Sequence, residues 1–266
     1  MRLVEYNEHL LTLQPKNPIL SFNTAMLCWQ LEDLRHADDP SKYTTRNFKF
    51  DEKALYHFNN ADKGKLVTLE FFLMFSSFLE DYASHINDLN AAYDLTRALQ
   101  LLCRADAIYP NNAEIHYQKG RKYATVFPFS HQRKIENLCT AINSFKVALS
   151  IEPTQLRSLN GMAAAHVMLG WCCGVNCLEN YYTAIEICRN ILAIDPNNLD
   201  AYRNMAEAYM ELFQLKNDES DLERCSLNLT EANRLETGSV SDLESTYKDL
   251  KMYGYSYYHS SYTMEE

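Results

Sequence analysis

Glycine and proline are scarce in this chain: seven of each in 266 residues, about 5% together, against roughly 12% in ordinary proteins. So few turn-formers exclude a sandwich, a barrel or any fold with a dozen strand turns, and suit long helices joined by short corners. Basic charge is short too. Twenty-five Lys and Arg against 35 Asp and Glu leave a net charge of −10. The phosphate backbone rewards a basic face, so direct nucleic-acid binding by this chain is not expected. Long apolar runs are missing. The most apolar stretch, Leu66 to Leu79, contains Glu70 and covers about 21 Å as a helix. That is too short for a bilayer, and it reads as a buried core helix. The opening residues, MRLVEYNEHLLTLQP, carry Glu5 and Glu8 and do not form a secretory signal. Eight cysteines without an export signal read as reduced thiols in a cytoplasmic protein.

The sequence contains a repeat. Three segments align: ALQLLCRADAIYPNNAEIHYQKGRKYA from Ala98, AINSFKVALSIEPTQLRSLNGMAAAHV from Ala141, and AIEICRNILAIDPNNLDAYRNMAEAYM from Ala184. Pro110, Pro153 and Pro196 recur every 43 residues. A fixed period in this range signals stacked supersecondary units. Small residues let two helices approach, large ones fill the groove beside them, and the proline forces the corner into the next unit. No unit buries its apolar side alone, so neighbours must stack.

The pattern inside each unit resembles the tetratricopeptide repeat (TPR), an antiparallel helix pair with the signature W-x2-L-G-x2-Y, A-x3-F-x2-A, P. Gly120 and Tyr123 fall at first-helix positions, and Ala141, Phe145, Ala148 and Pro153 complete the second helix. Ala163 and His166, then Ala184, Cys188, Ile191 and Pro196, follow in the next unit. Tyr202, Ala206 and Tyr209 lead to Cys225, Leu229 and Ala232, with Thr237-Gly238 as the stop. The resemblance implies an all-α, right-handed TPR-like solenoid with elongated repeats of 43 residues. The surplus over 34 falls between the paired helices, at Phe127 to Ile135 and Leu169 to Cys177, as a lengthened first helix or a longer loop.

Upstream the pattern decays. Leu73, Ser76 and Ser77 precede Ala98, Leu102, Ala105 and Pro110, while Ala54, Phe58 and Ala61 form an earlier second helix. Residues 35–50 read as a polar, proline-containing insertion. His9 to Pro15 read as the end of a second helix, so the chain opens in mid-repeat, either as an N-terminal cap or as the carboxyl part of something longer. The expected organisation is divergent repeats over 1–66, elongated repeats over 67–238, a capping helix over 239–252 and a Tyr-rich flexible tail over 253–266. The whole amounts to about five helical pairs.

Asn160 to Tyr209, with MLG, a short insertion and an alanine-rich helix ending LAIDPNN, is similar to the C-terminal repeat region of ToxR/OmpR-type winged-helix regulators, including HilA-like invasion regulators. No winged helix accompanies it. That resemblance implies the interaction or regulatory region of a bacterial regulator of invasion or type III secretion genes, without its own DNA reader.

TPR arrays bind peptides on the inner face of their first helices. Counting from each proline places Tyr117, Arg121, Arg157, Asn160, Arg203, Asn204 and Glu207 there. Arg and Asn fork to carboxylates and peptide backbone; the plain alternative is a solvated surface. The array departs from the chaperone-tail carboxylate clamp, which wants Lys and Asn where Tyr117/Arg121, Asn160/Ala164 and Arg203/Glu207 stand. His166, Cys172, Cys173, Cys177 and Cys188 are of metal-ligating type. However, C-C-x3-C is not the C-x2-C knuckle, and His166 and Cys188 sit at repeat core positions, where small cysteines are common. A thiol sensor in the Cys172–Cys177 loop is the related alternative. No Gly-rich phosphate loop, G-x-S-x-G or H-E-x-x-H is present. The expectation is therefore a non-enzyme without a cofactor: an adaptor with a protein or peptide partner, not a membrane protein. A secretion chaperone holding an unfolded client is the alternative, and a homodimer through the uncovered helix edge is a further expectation.

Overall fold

The computed structural model describes residues 2–37, 49–85, 89–125, 133–172 and 176–238. They form eleven α-helices, with no strand among the described residues. Two compact units divide at Asn111/Asn112. The first holds α1 (Arg2–Leu13), α2 (Pro18–Ala37), α3 (Lys49–Lys63), α4 (Leu69–His85) and α5 (Leu89–Ile108). The second holds α6 (Ala113–Thr125), α7 (Lys134–Ile151), α8 (Leu156–Cys172), α9 (Cys177–Ile194), α10 (Leu199–Lys216) and α11 (Glu219–Thr237). In each unit successive helices pair antiparallel, α2 with α3 and α4 with α5, then α6 with α7, α8 with α9 and α10 with α11. This is the TPR-like solenoid arrangement.

The corners explain where helices begin. Proline cannot continue a helix, and an asparagine side chain after it satisfies a free N–H of the next one. The Ile115 N–H donates to Asn112 Oδ1 at 3.2 Å, and the Ala201 N–H to Asn198 Oδ1 at 3.0 Å. Asn17 and Thr68 cap α2 and α4 in the same way. At the far end Gly238 takes a φ of 69°, the left-handed conformation that glycine adopts without strain, and stops α11.

The second helices share one rule. Ala54/Phe58/Ala61, Ala98/Leu102/Ala105, Ala141/Phe145/Ala148, Ala184/Cys188/Ile191 and Cys225/Leu229/Ala232 are all buried. The i, i+4, i+7 spacing puts each trio on one stripe, with the middle residue flanked on both sides. Phe145 shows why the flanking groups are small. A Cβ added at Gly120 on α6 would lie 2.6 Å from its ring, and one at Gly161 on α8 would also lie 2.6 Å away. The ring of α7 is held between two first helices that approach closely only because both lack a side chain there. Gly170 makes the same allowance for the Tyr181 ring.

The first unit departs from this scheme in its filling. Its core is aromatic: Phe58 stacks on Phe75 at 4.8 Å, and Phe22 packs against Phe58 and Phe71 at 6.1 and 6.0 Å. On α4 the buried face is Phe71, Phe72, Phe75, Phe78 and Leu79 with Ser76, while Leu73 and Ser77 are only half-buried. The phenylalanines bury more apolar area than these two positions. Residues 35–37 are helical, at the end of α2. Leu169 to Cys172 are helical, so α8 is a lengthened first helix. Most of the 35–50 insertion, residues 126–132 and 173–175, the expected capping helix and the Tyr-rich tail lie outside the described residues.

Candidate binding face

In the second unit, α6, α8 and α10 are the first helices of successive pairs, and each contacts the next. Residues one period apart therefore sit side by side. Arg157 Nη2 donates to Glu114 Oε2 at 2.7 Å, across an interval of 43 residues. The same guanidinium lies 4.8 Å from the centroid of the Tyr117 ring, and that of Arg121 lies 6.0 Å from it. Tyr117, Arg121 and Arg157 thus form one cluster, with Glu114 as its counter-charge. Tyr117 also touches Phe145, so the cluster rests on the core.

Asn160 and Arg203 occupy the positions equivalent to Tyr117. Asn160 Nδ2 donates to Asn198 Oδ1 at 3.1 Å, while its own Oδ1 is buried without a hydrogen-bond partner among the described residues. Arg203 Nη2 reaches Glu236 Oε2 at 2.7 Å. Asn204 is half-buried on α10, beside this row.

Glu207 lies one turn beyond Arg203. Burial, then the nearby charge of Glu211, push its carboxyl up to about 7, against a smaller pull from Arg203. Burial also raises Glu211, partly offset by hydrogen bonds from the Trp171 indole and the Tyr181 hydroxyl, the latter at 3.3 Å. Two carboxylates one helical turn apart repel each other and favour the protonated form.

The seven residues selected by counting from the prolines all lie on α6, α8 and α10. The structure groups Tyr117, Arg121 and Arg157; it engages Asn160 and Arg203 with other neighbours and leaves Asn204 and Glu207 further along the row. Sequence reasoning missed the counter-groups Glu114, Asn198, Glu211 and Glu236. Glu114 was findable, because it stands one period before Arg157. Asn198 was not, since it acts as a helix cap and a groove residue at once.

Among the described residues the cysteine-histidine set does not converge. Cys188 is fully buried in the core, and burial pushes its thiol up to about 12. His166 Nδ1 lies 3.0 Å from Asn180 Oδ1, with its imidazole held below the ordinary value by burial. Cys172 and Cys177 are half-buried at either end of residues outside the description, which include Cys173. Among the described residues no three His, Cys, Asp or Glu side chains are placed to share a metal ion, and no helix is long and apolar enough to cross a membrane.

No protein-family model and no curated protein matches the sequence. Solved structures do match the fold. A thermophilic TPR protein from Thermus thermophilus is 14% identical with a TM-score of 0.56, over 86% of this chain and 99% of that one. Yeast Tom70 is 12% identical at 0.53, over 98% of this chain and 46% of its own. A double mutant of MamA RS-1 is 15% identical at 0.50, over 82% and 97%. At such identities the likeness shows the TPR-like fold and nothing finer.

Proposed function

We propose that this chain is a non-catalytic scaffold that holds a segment of a partner protein against the face formed by α6, α8 and α10. The supporting observation is the Tyr117–Arg121–Arg157 cluster, continued by Asn160 and Arg203 at the positions equivalent to Tyr117, by Glu207 at that of Arg121, and by Asn204 beside them. Core requirements account for the small and apolar positions of these helices. They do not account for a row of guanidinium, amide, phenol and carboxylate groups beside them. Such groups grip peptide backbone and charged side chains by forked hydrogen bonds. The specific form of this reading is the interaction region of a cytoplasmic bacterial regulator of invasion or type III secretion genes; it rests on the repeat style of Asn160 to Tyr209.

The test is affinity capture from the native cell with the intact chain, beside an Arg121/Asn160/Arg203→Ala variant. A stoichiometric partner lost in the variant is the expected result. A partner retained by both forms moves the site off this face. Capture of aggregation-prone clients of varied sequence favours a secretion chaperone, and loss of capture on Cys172/Cys177→Ser a thiol sensor. Light scattering on the purified chain separates a homodimer from a monomer.

A further inference from the structure

A cleft of about 650 Å3 opens in the first unit where α1, the start of α2 and α3 meet. It is independent of the face described above. Glu8 and Leu11 of α1 line one side, and Glu52, Lys53, Tyr56 and His57 of α3 the other.

His57 carries the argument. The residue is only 5% exposed, and its Nδ1 is buried with no hydrogen-bond partner among the described residues. Buried polar atoms are nearly always satisfied, so an unsatisfied one on a residue that lines a cleft calls for a partner, a water or a ligand group. Its Nε2 faces Glu8 Oε1 at 3.8 Å. Burial holds the imidazole below its ordinary value, against the smaller opposing pull of Glu8, so the ring is neutral at pH 7. With its one proton on Nε2, toward the carboxylate, Nδ1 presents a lone pair and accepts.

The charges of the lining favour a cation. Lys53 Nζ is bound to Glu8 Oε1 at 2.8 Å, which engages the one lysine among these lining residues. Glu8 and Glu52 against Lys53 leave one net negative charge. An anion therefore meets net repulsion, while a positive group that donates N–H bonds meets acceptors. The Tyr56 ring adds a wall: it is 62% exposed and stands edge-on to His57 at 5.1 Å. An exposed aromatic face beside carboxylates suits a guanidinium or ammonium group, and Leu11 suits the alkyl stem behind it.

We propose that this cleft binds a guanidinium or ammonium group carried on an apolar stem, using Glu8, Glu52, Tyr56 and the His57 lone pair. A basic side chain of a polypeptide and a free polyamine share this chemistry. The test is calorimetric titration of the intact chain at low salt with N-acetyl-arginine amide, its neutral norleucine analogue and N-acetyl-glutamate amide. Saturable binding of the arginine probe alone is expected, with the His57 ring resonances shifting on titration. Glu8→Gln, folded by circular dichroism, should weaken it at least about tenfold, and Tyr56→Ala about threefold. If Glu8→Gln does not fold, Glu52→Gln at an exposed position serves, with the same direction expected. Glu186→Gln, at an exposed position of α9 in the other unit, should change nothing. Equal binding of norleucine amide, preference for the glutamate probe, or an unmoved His57 overturns the proposal. Tighter binding of a central-arginine hexapeptide than of spermidine assigns the group to a polypeptide, and the reverse order to a free amine; either supports the cleft's cation chemistry.

Discussion

Alanine is a better helix former than glycine by about 1 kcal/mol, yet Gly161→Ala should destabilise this protein. The new Cβ would stand 2.6 Å from Phe145 Cζ and 2.8 Å from Cε1, where carbon atoms settle at about 3.5–4.0 Å. The ring has little room to retreat, because it also packs so close to the Gly120 backbone that a Cβ built there would lie 2.6 Å from it. Overpacking costs about 1–3 kcal/mol, and a ring pinned on both faces belongs near the top of that range. Less the propensity gain, the net loss is about 1–2 kcal/mol. Phe145→Ala removes a ring that is 1% exposed and should cost about 3–5 kcal/mol, because two flanking glycines have no side chain to move into the space. The cycle is the sharper test. In a Phe145→Leu background, Gly161→Ala meets a smaller neighbour and should be neutral or stabilising, a coupling of about 1–2 kcal/mol. Urea unfolding followed by circular dichroism, with coincident fluorescence transitions required, reads all four stabilities. If Gly161→Ala raises stability in the wild-type background, the ring is not confined as argued.

Three further outcomes follow from local chemistry. The raised pKa of Glu207, about 7 when folded, lies above its unfolded value, so between about pH 4.5 and 7 the native state holds the extra proton and stability falls as pH rises. About one unit above pH 7 the loss is complete, on the order of 3 kcal/mol; Glu207→Gln should flatten this slope in urea titrations at pH 5 and 8, and an unchanged slope would reject the assignment. Asn198→Ala removes the α10 cap and the acceptor for Asn160, and should cost about 1–2 kcal/mol, while Asn197→Ala next door stays within about 0.5; equal effects would mean the cap contributes nothing. Among thiols, exposed Cys103 and Cys139 should react first with a disulfide reagent at pH 8, and buried Cys28, Cys188 and Cys225 only on unfolding; rapid native labelling of Cys188 would contradict its core placement.

The fold was legible because three constraints fall on the same residues. Ala141, Phe145 and Ala148 must be helical, must share a stripe and must fit between neighbouring helices, so their sizes recur visibly every 43 positions. Gly161 escaped notice because its reason lies on another helix: only the place of Phe145 shows that two glycines, not one, flank the ring. The first unit was harder. Its phenylalanines fill the same volume with different residues, so periodicity survives while the motif letters do not. Of the candidate face, counting from the prolines placed all seven residues on first helices, but which groups meet depends on side-chain reach across neighbours, as with Arg157 and Glu114, and on caps such as Asn198 that serve two roles.

Glu207 gives the face its strongest claim to a purpose beyond folding. Its carboxyl sits half-buried with Glu211 one turn away, and both are raised in pKa by that burial. Each feature costs stability, and an apolar side chain of similar size at position 207 would avoid both costs. The fold does not demand a carboxylate there, since the equivalent positions in the preceding first helices hold Arg121 and Ala164. A residue that varies among +1, 0 and −1 charge across repeats, beside core positions that stay small and apolar, is free of the packing rule. If the proposed function holds, a ligand that follows α6, α8 and α10 meets a basic cluster first and the Glu207–Glu211 pair last, so the row would read the ligand's charge sequence. A bound segment would thus be oriented with acid toward Tyr117 and base toward Glu207. Swapping the charges, with Arg121→Glu and Glu207→Arg together, should abolish capture of the natural partner and restore it for a partner of reversed charge order. Retention of the original partner by the swapped chain would show that the row does not read charge.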